Sequence, residues 1–217
     1  MPSHFHRHQT DEPSAVMHGH QGHLHEALQN LFFGGRRPAV YRRLAVLSGA
    51  KPRDRVLDVG CGSGYLSRAM ARAVGPEGSV LGVDPSEEAI DSARRLAPRS
   101  NCTFAPGRAE ELGDADGTYD VVVTSLVLHH LPEPMRPRAV AEMFRVLRPG
   151  GRLLVAEFRP PTSRLGSLLF RPFMSSPMQH NPLEMLEPMV RGAGFEVLGT
   201  GDLRPWIRYV QAGKPVA

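Results

Sequence analysis

Cysteine is scarce in this sequence, and long apolar runs are absent from it. Its 217 residues include two cysteines, Cys61 and Cys102, which fit reduced, buried thiols better than a disulfide framework or a zinc site. No apolar run approaches the roughly 20 residues that cross a bilayer, and the N-terminus lacks the apolar segment of a signal peptide. We therefore expect a cytoplasmic protein, and its 41% apolar content suffices for one buried core.

Acidic residues are nearly missing between residues 36 and 55, where Asp54 is the only one. The basic residues of this stretch are Arg36, Arg37, Arg42, Arg43, Lys51, Arg53 and Arg55. Such a patch could bind nucleic acid or an anionic substrate. However, Val40, Leu44 and Leu47 recur at helical spacing, and this pattern favours a solvated helix face over RNA binding.

The N-terminal residues are rich in histidine and poor in apolar pattern. Residues 1–23 predict a flexible tail. Alternating histidines can chelate a transition metal, but without Cys, Asp or Glu at ligand spacing beside them a solvated tail is favoured over a metal site. From Leu24 to Phe33 the pattern predicts an amphipathic helix. We expect one domain over residues 24–217, with the tail before it.

The strongest local pattern runs from Arg55 to Ser67. Apolar residues from Val56 to Val59 predict a short buried strand, which the glycine-rich run from Gly60 to Gly64 interrupts. A helix should follow, with Ser63 as its N-cap. Its inner face would carry Leu66, Met70 and Val74. This order is typical of a nucleotide-binding α/β sheet, in which backbone N–H groups approach a ligand too closely for any β-carbon.

Two acids near the loop indicate which nucleotide it binds. The spacing from Gly60 to Gly64 is G-x-G-x-G, unlike the dinucleotide fingerprint, and Asp58 just before it would repel a diphosphate. A carboxylate there suits a positively charged group, such as an ammonium or a sulfonium. Twenty residues past Gly64 a second buried strand ends in Asp84, where a carboxylate accepts hydrogen bonds from ribose hydroxyls. A nucleoside that carries a cation indicates S-adenosylmethionine.

Four motifs in the family's order make the chain resemble the class I S-adenosylmethionine-dependent methyltransferases, specifically the small-molecule branch that includes ubiquinone/menaquinone-type enzymes. The resemblance is closest over Leu44–Leu154. The motifs are the loop from Asp58 to Gly64, Asp84, the strand Tyr119–Val123 with Leu128-His129-His130 after it, and the run Arg145–Gly151. The resemblance implies a doubly wound α/β fold with a seven-stranded, mostly parallel sheet and N-terminal lid helices.

Other apolar runs predict the remaining elements. Strands are expected at Asn101–Ala105, as a short edge strand, at Tyr119–Ser125 and Arg152–Phe158, and as an antiparallel pair at Phe195–Thr200 and Trp206–Gln211. Helices are expected from Ser86 to Pro98, with Ala89, Ile90, Ala93 and Leu96 inward, from Met135 to Leu147, and from Leu183 to Arg191. Because ligands bind beyond the carboxyl ends of parallel strands, the site should lie at that edge.

The resemblance implies a cofactor site built from several segments. Its residues would be Asp58, Gly60, Cys61, Gly62, Gly64, Asp84, Pro85, Ala109, Glu110 and Ser125. Relatives usually carry an acid followed by a small residue where the adenine binds, whereas Arg108 stands in the place of the acid here. The Ala109 backbone or the Glu110 side chain would then supply the adenine hydrogen bond.

Two histidines follow the central strand at the same edge. Either His129 or His130 could be a general base, because an imidazole titrates near neutral pH and can accept the proton that a nucleophile loses. The alternative is that one orients the loop while the other packs against the next helix. Glu157 closes the following strand, where it would line the substrate pocket or pair with an arginine.

The segment from Leu165 to Met178 is apolar and bears methionines. This composition is typical of an adaptable surface over a ligand, or of ordinary core packing. In the family this region contributes to substrate choice. We expect methyl transfer to a small, apolar or aromatic metabolite, without a metal and without a nucleic-acid partner. The alternatives are an RNA methyltransferase and a non-catalytic protein that binds S-adenosylmethionine.

Overall fold

The computed structural model describes Phe33 and residues 35–97, 100–159 and 183–216. The chain divides after Gly35, and the fold below is that of the unit Arg36–Ala217. Three predicted features lie outside the described residues wholly or nearly so: the tail over residues 1–23, the helix from Leu24 to Phe33 and the segment from Leu165 to Met178. The domain boundary at residue 24 stays a prediction.

Seven strands form one sheet. They are β1 (Arg55–Val59), β2 (Ser79–Asp84), β3 (Cys102–Pro106), β4 (Tyr119–Ser125), β5 (Leu147–Phe158), β6 (Glu196–Leu203) and β7 (Ile207–Gly213). Their order in the sheet is β3-β2-β1-β4-β5-β7-β6. The first five strands are parallel to their neighbours, and β7 runs antiparallel to β5 and β6. The predicted doubly wound, mostly parallel sheet is confirmed, with β3 at its edge.

Five α-helices lie in the described ranges. They are α1 (Arg37–Leu47), α2 (Tyr65–Val74), α3 (Glu87–Leu96), α4 (Arg136–Val146) and α5 (Leu186–Gly192). The prediction for Ser63 is wrong, because Gly64, with φ +75°, is the residue that caps α2. Leu96 is also not inward: it is 45% exposed, since the chain leaves α3 in an extended conformation at Ala97. None of these helices is long and apolar enough to span a bilayer.

The strand register brings the loops of the candidate site to one edge. Val59 of β1 pairs with Val83 of β2 and with Thr124 of β4, so these three strands end at the same level. β4 is central, and its core residues from Val121 to Val123 are at most 1% exposed, as a parallel strand covered on both faces requires. The carboxyl ends of β1, β2, β4 and β5 therefore form a common edge.

Candidate functional site

The glycine loop after β1 has a backbone that favours glycine. Gly60, Gly62 and Gly64 have φ values of +71°, +52° and +75°, in the left-handed region that L side chains rarely adopt. A β-carbon on Gly60 would lie 2.8 Å from Cγ1 of Val127 and closer still to Cγ2, and one on Gly64 would lie 2.6 Å from Phe104. A β-carbon on Gly62 would meet no atom within 4 Å. Gly62 therefore faces open space, as the wall of a ligand cradle does.

The backbone N–H groups of this loop are bonded within the protein. Those of Gly60 and Cys61 donate to the Val83 carbonyl at 2.8 and 2.9 Å, and that of Gly62 donates to Oδ2 of Asp84 at 2.9 Å. These three N–H groups are therefore bonded to β2, and the assignment of Gly60, Cys61 and Gly62 to the cofactor stays a prediction. Burial raises the pKa of the Cys61 thiol, which keeps it protonated and unreactive.

Asp84 lies at the end of β2 and joins the loop to α3. While Oδ2 accepts from Gly62, Oδ1 accepts from the Ser86 N–H at 3.0 Å. Ser86 in turn caps α3 by accepting from the Ala89 N–H at 3.2 Å. Each carboxylate oxygen has a second lone pair with which it can accept a ligand hydroxyl. Pro85 is exposed beside this carboxylate.

Asp58 is buried at the level of the loop, and only half of its carboxyl group is satisfied. Oδ2 accepts from Oγ of Ser67 at 2.6 Å, whereas Oδ1 has no hydrogen-bond partner in the described structure. Burial raises the pKa of Asp58 to about 7, against the opposing hydrogen bonds from Ser67. Because an unpaired buried carboxyl oxygen is unfavourable, Oδ1 is suited to a donor or a cation from a ligand.

Arg37 belongs to this site, and its expected place on a solvated helix face is wrong. Its side chain is buried, at 4% exposure, and its guanidinium carbon lies 4.3 Å from the ring centroid of Tyr65, the residue after the glycine loop. Nε has no partner. One sequence signal could have located it, because Arg37, Tyr41 and Leu44 follow the i, i+4, i+7 spacing of an inward face.

Tyr41 connects Arg37 with the end of β4. Burial raises the pKa of Tyr41, while the Arg37 guanidinium and a hydrogen bond with Ser125 oppose this rise and the Asp58 carboxyl adds to it. A cation, a carboxyl group and a phenol are thus buried together near the ends of β1 and β4. Ser125, which the resemblance assigned to the cofactor, lies in this cluster.

The loop after β3 is organised by arginines. Nε of Arg108 donates to Oε1 of Glu110 at 2.8 Å, and Arg138 donates to the Glu110 carbonyl at 2.9 Å. Burial alone would raise the pKa of Glu110, but the backbone hydrogen bond and Arg108 outweigh it and lower the pKa. Arg108 therefore holds Glu110 in place, and Ala109 between them is buried. The adenine contact from Ala109 or Glu110 stays a prediction.

Glu157 organises the turn that follows β4. Oε1 accepts from the N–H groups of Val127 and Leu128 at 3.0 and 2.7 Å, and Oε2 lies 2.6 Å from Nδ1 of His129. Both paired side chains are buried, with 5% exposure for the histidine and none for the glutamate. The partner of Glu157 is therefore the histidine turn, not the arginine that was one of its expected partners. The exposed His130 lies next to His129, with 4.1 Å between ring centroids.

Known proteins that are similar to this chain in sequence and in fold include methyltransferases. A family model described as a methyltransferase domain matches residues 56–151. The ubiquinone/menaquinone biosynthesis C-methyltransferase UbiE of Vibrio parahaemolyticus is 31% identical, over 79% of this chain and 76% of that protein. An S-adenosylmethionine-dependent methyltransferase structure from Aquifex aeolicus has a TM-score of 0.68 at 20% identity, over 80% of this chain and 89% of that one.

The fold alone does not specify the reaction. The cyclase SpnF has a TM-score of 0.66 at 20% identity to this chain, covering 83% of this chain and 81% of its own. Proteins that share this fold therefore include one that is named a cyclase. The chemistry has to be argued from the side chains at the carboxyl edge.

Proposed function

The chain belongs to the class I S-adenosylmethionine-dependent methyltransferases, and on that premise we propose that it methylates a small, apolar or aromatic molecule. When bound, S-adenosylmethionine supplies an electrophilic methyl group on a sulfonium sulfur. The observation that carries the proposal is a pair of buried atoms of opposite polarity, Oδ1 of Asp58 and Nε of Arg37, which have no hydrogen-bond partner among the described residues. These two side chains would bind the amino-acid end of the cofactor and hold it at the carboxyl edge.

The donor set fits an amino-acid zwitterion. A methionine carboxylate would complete the hydrogen bonds of the Arg37 guanidinium, which has no acidic partner among the described residues. The ammonium group would donate the hydrogen bond that Oδ1 of Asp58 lacks. Each contact replaces an unsatisfied buried group by a charge-assisted hydrogen bond. Tyr65 and Tyr41 limit the motion of the guanidinium, which lies 4.3 and 5.7 Å from their ring centroids.

The nucleoside end would lie across β2 and β3. Asp84 would accept the ribose hydroxyls with the lone pairs that Gly62 and Ser86 leave free. Gly62 would admit the ligand because no side chain fills the space above it. Ala109 and Glu110 would then contact the adenine. In this arrangement the sulfonium lies between the two ends, next to the loop, and the acceptor side of the site is toward β4 and β5.

Arg37→Gln should weaken S-adenosylhomocysteine binding by about 10- to 100-fold, because a charge-assisted contact to the carboxylate is lost. The same substitution should leave binding of 5′-methylthioadenosine unchanged, since this ligand keeps the nucleoside and lacks the amino-acid group. Titration calorimetry with both ligands separates these outcomes. Arg42→Gln is the matched control, because Arg42 is exposed on the same helix. The Arg42→Gln variant should bind both ligands with wild-type affinity. An equal loss for the two ligands would contradict the role of Arg37.

The acceptor class is supported by the relatives and by the position of the basic residues. The 31% identical relative is named a C-methyltransferase of ubiquinone and menaquinone biosynthesis. Arg55 starts β1 and therefore lies at the edge opposite to the glycine loop, where Arg53 pairs with Glu77. These two basic residues are too remote from the methyl group to position a nucleic acid over it. Part of the basic cluster that suggested an RNA methyltransferase therefore lies away from the candidate site.

Labelled cofactor can identify the acceptor class directly. The full chain would be incubated with total RNA and with a lipophilic metabolite extract, at about 50 and 200 mM salt, a range over which phosphate contacts weaken strongly. We expect label in the organic extract at both salt concentrations, because burial of apolar surface depends little on salt. Label that enters RNA, and that is lost at the higher salt concentration, would contradict the small-molecule proposal.

A further inference from the structure

Glu157 and His129 form a buried pair at the carboxyl edge that the cofactor contacts proposed above do not use. The carboxyl group of Glu157 already accepts two backbone N–H groups, from Val127 and Leu128. Its Oε2, at 2.6 Å from Nδ1 of His129, therefore faces a donor, and Nδ1 carries the proton. In that tautomer the lone pair of a neutral imidazole is on Nε2.

Nε2 is the open nitrogen of the His129 ring. In the described residues the titratable groups in contact with this ring are Glu157 on β5 and His130 in the same turn, and neither bonds to Nε2. Among the described residues, the fully buried side-chain nitrogen and oxygen atoms without a hydrogen-bond partner are Arg37 Nε, Asp58 Oδ1 and Thr124 Oγ1. Nε2 is not among these atoms. Although the side chain is 5% exposed, Nε2 therefore reaches solvent-accessible space.

The pair lies next to the cofactor loop. His129 follows Val127 by two residues, and the side chain of Val127 packs where Gly60 lacks a β-carbon. The turn begins at Leu126, whose φ of +60° is unfavourable for a leucine. Backbone strain of this kind is found where a functional geometry must be held. Glu157 holds it, because the same carboxyl group bonds the turn and the imidazole.

We propose that His129 is the general base toward the acceptor and that Glu157 positions it, so that this enzyme methylates acceptors that must lose a proton. This inference rests on the proposed function. The acceptor gives its proton to Nε2 while its electron pair forms the bond to the methyl carbon, and the pair of the broken carbon–sulfur bond stays on sulfur. The imidazolium that forms is stabilised by Glu157 and returns the proton to water.

The chemistry of this step defines the acceptor class. A phenol or a hydroquinone becomes a strong nucleophile, at oxygen or at the conjugated ring carbon, only when its hydroxyl proton is removed. After attack by the ring carbon, the hydrogen on that carbon leaves to water as a proton and the aromatic ring is restored. A thioether or an aromatic ring nitrogen has no proton to lose and needs no base. The pair therefore assigns hydroxylated aromatic molecules to this site.

Two acceptor probes separate these classes. 1,4-Dihydroxynaphthalene and isoquinoline are two-ring aromatics of similar size, but the isoquinoline nitrogen carries no proton. With the full chain and labelled cofactor, under argon, we expect transfer to 1,4-dihydroxynaphthalene and a kcat that falls toward acid pH, as Nε2 becomes protonated. Transfer to isoquinoline alone would overturn the proposal.

His129→Asn is the sharpest variant. The asparagine amide can place an N–H where Nδ1 was, so that the bond to Glu157 and the turn are preserved, but it has no counterpart of Nε2. We expect kcat for 1,4-dihydroxynaphthalene to fall by about 10²- to 10⁴-fold, with an unchanged KM and with loss of the pH dependence. A wild-type kcat and pH profile in His129→Asn would overturn the proposal.

Glu157→Gln tests the positioning role. The new amide N–H would face Nδ1 and move the ring proton to Nε2, which removes the base without removing the imidazole. We expect a loss of kcat comparable to that of His129→Asn, and ¹⁵N spectra of labelled histidine should show the protonated Nε2. The control Glu77→Gln changes an exposed glutamate at the opposite edge and should behave as wild type. If Glu157→Gln does not fold, His129→Asn decides the question.

A chemical readout separates this proposal from the proposed function. If neither probe is methylated, the acceptor class is in error, yet His129 can still be tested with diethyl pyrocarbonate, which modifies accessible, unprotonated imidazole nitrogens. Tandem mass spectrometry should find modified His129, and bound S-adenosylhomocysteine should slow the modification several-fold, because the turn that carries His129 lies next to the glycine loop. Absence of modification, or modification that S-adenosylhomocysteine does not slow, would overturn the role of His129.

Discussion

Asp84→Ala is expected to weaken S-adenosylhomocysteine binding by about 10- to 150-fold, which corresponds to about 1.5–3 kcal/mol for a lost charge-assisted hydrogen bond. The carboxylate has two tasks in this site. It would accept the ribose hydroxyls, and it fixes the cradle, because its oxygens accept the N–H groups of Gly62 and Ser86. Titration calorimetry measures the change. 5′-Methylthioadenosine, which retains the ribose, should lose affinity by a similar factor.

The pattern across ligands and variants makes this prediction specific. Substitution of Asp84 should lower the affinity for both ligands, whereas substitution of Arg37 should lower only the affinity for S-adenosylhomocysteine, which carries the amino-acid group. Asp84→Asn keeps one oxygen acceptor and should lie between the wild type and Asp84→Ala. Asp91→Ala is the control, since Asp91 is exposed on α3 and pairs only with Arg94 in the described residues. Normal affinity in Asp84→Ala, or a wild-type preference for NAD over S-adenosylhomocysteine, would contradict the prediction.

Gly60→Ala is expected to lower the free energy of unfolding by about 2–5 kcal/mol. A left-handed backbone costs an alanine about 1–2 kcal/mol, and forcing a methyl group into a packed core costs about 1–3 kcal/mol more. The methyl group would overlap the Val127 side chain, with Cγ1 at 2.8 Å and Cγ2 closer. For a chain of this size the melting temperature should fall by about 5–20 °C, measured on the protein without cofactor.

Two further variants identify the cause of the Gly60 effect. Gly62→Ala has the same kind of backbone strain, with φ +52°, but meets open space, so it should lower the melting temperature less while it weakens cofactor binding more. Val127→Ala in the Gly60→Ala background removes both γ-carbons that cause the clash. The two substitutions should therefore couple by more than about 1 kcal/mol in a double-mutant cycle. Additive effects would show that the clash is not the cause.

The parts of the candidate site that the sequence predicted are those whose signal lies in adjacent residues. The glycine loop, the strand before it and Asp84 at the end of the next strand were all located correctly, because buried parallel strands are short apolar runs and glycine interrupts them. The register of β1 with β2 follows from that pattern, and it brings Asp84 to the loop. That the cofactor binds at this edge of the sheet stays a prediction.

Other residues were misplaced because their environment comes from distant parts of the chain. Arg37 stands among arginines, and composition favours a solvated face for all of them. Tyr65, which covers Arg37, comes 28 residues later. The environment of Glu157 also comes from a distant part of the chain, since its three hydrogen bonds are to the turn after β4. This turn is close to Glu157 because β4 and β5 are neighbours in the sheet.

The sequence by itself thus determined the fold class and the cofactor, and it predicted the edge of the sheet at which the cofactor binds, since each depends on hydrophobic period, glycine spacing and the order of motifs along the chain. Only the tertiary structure decided which polar groups at that edge are paired and which are open. Within the described ranges Oδ1 of Asp58 and Nε of Arg37 have no hydrogen-bond partner, whereas Oε2 of Glu157 is bonded to His129. The physical reason is that hydrogen-bond satisfaction in a buried site depends on distances between strands and helices, and a linear pattern does not contain those distances.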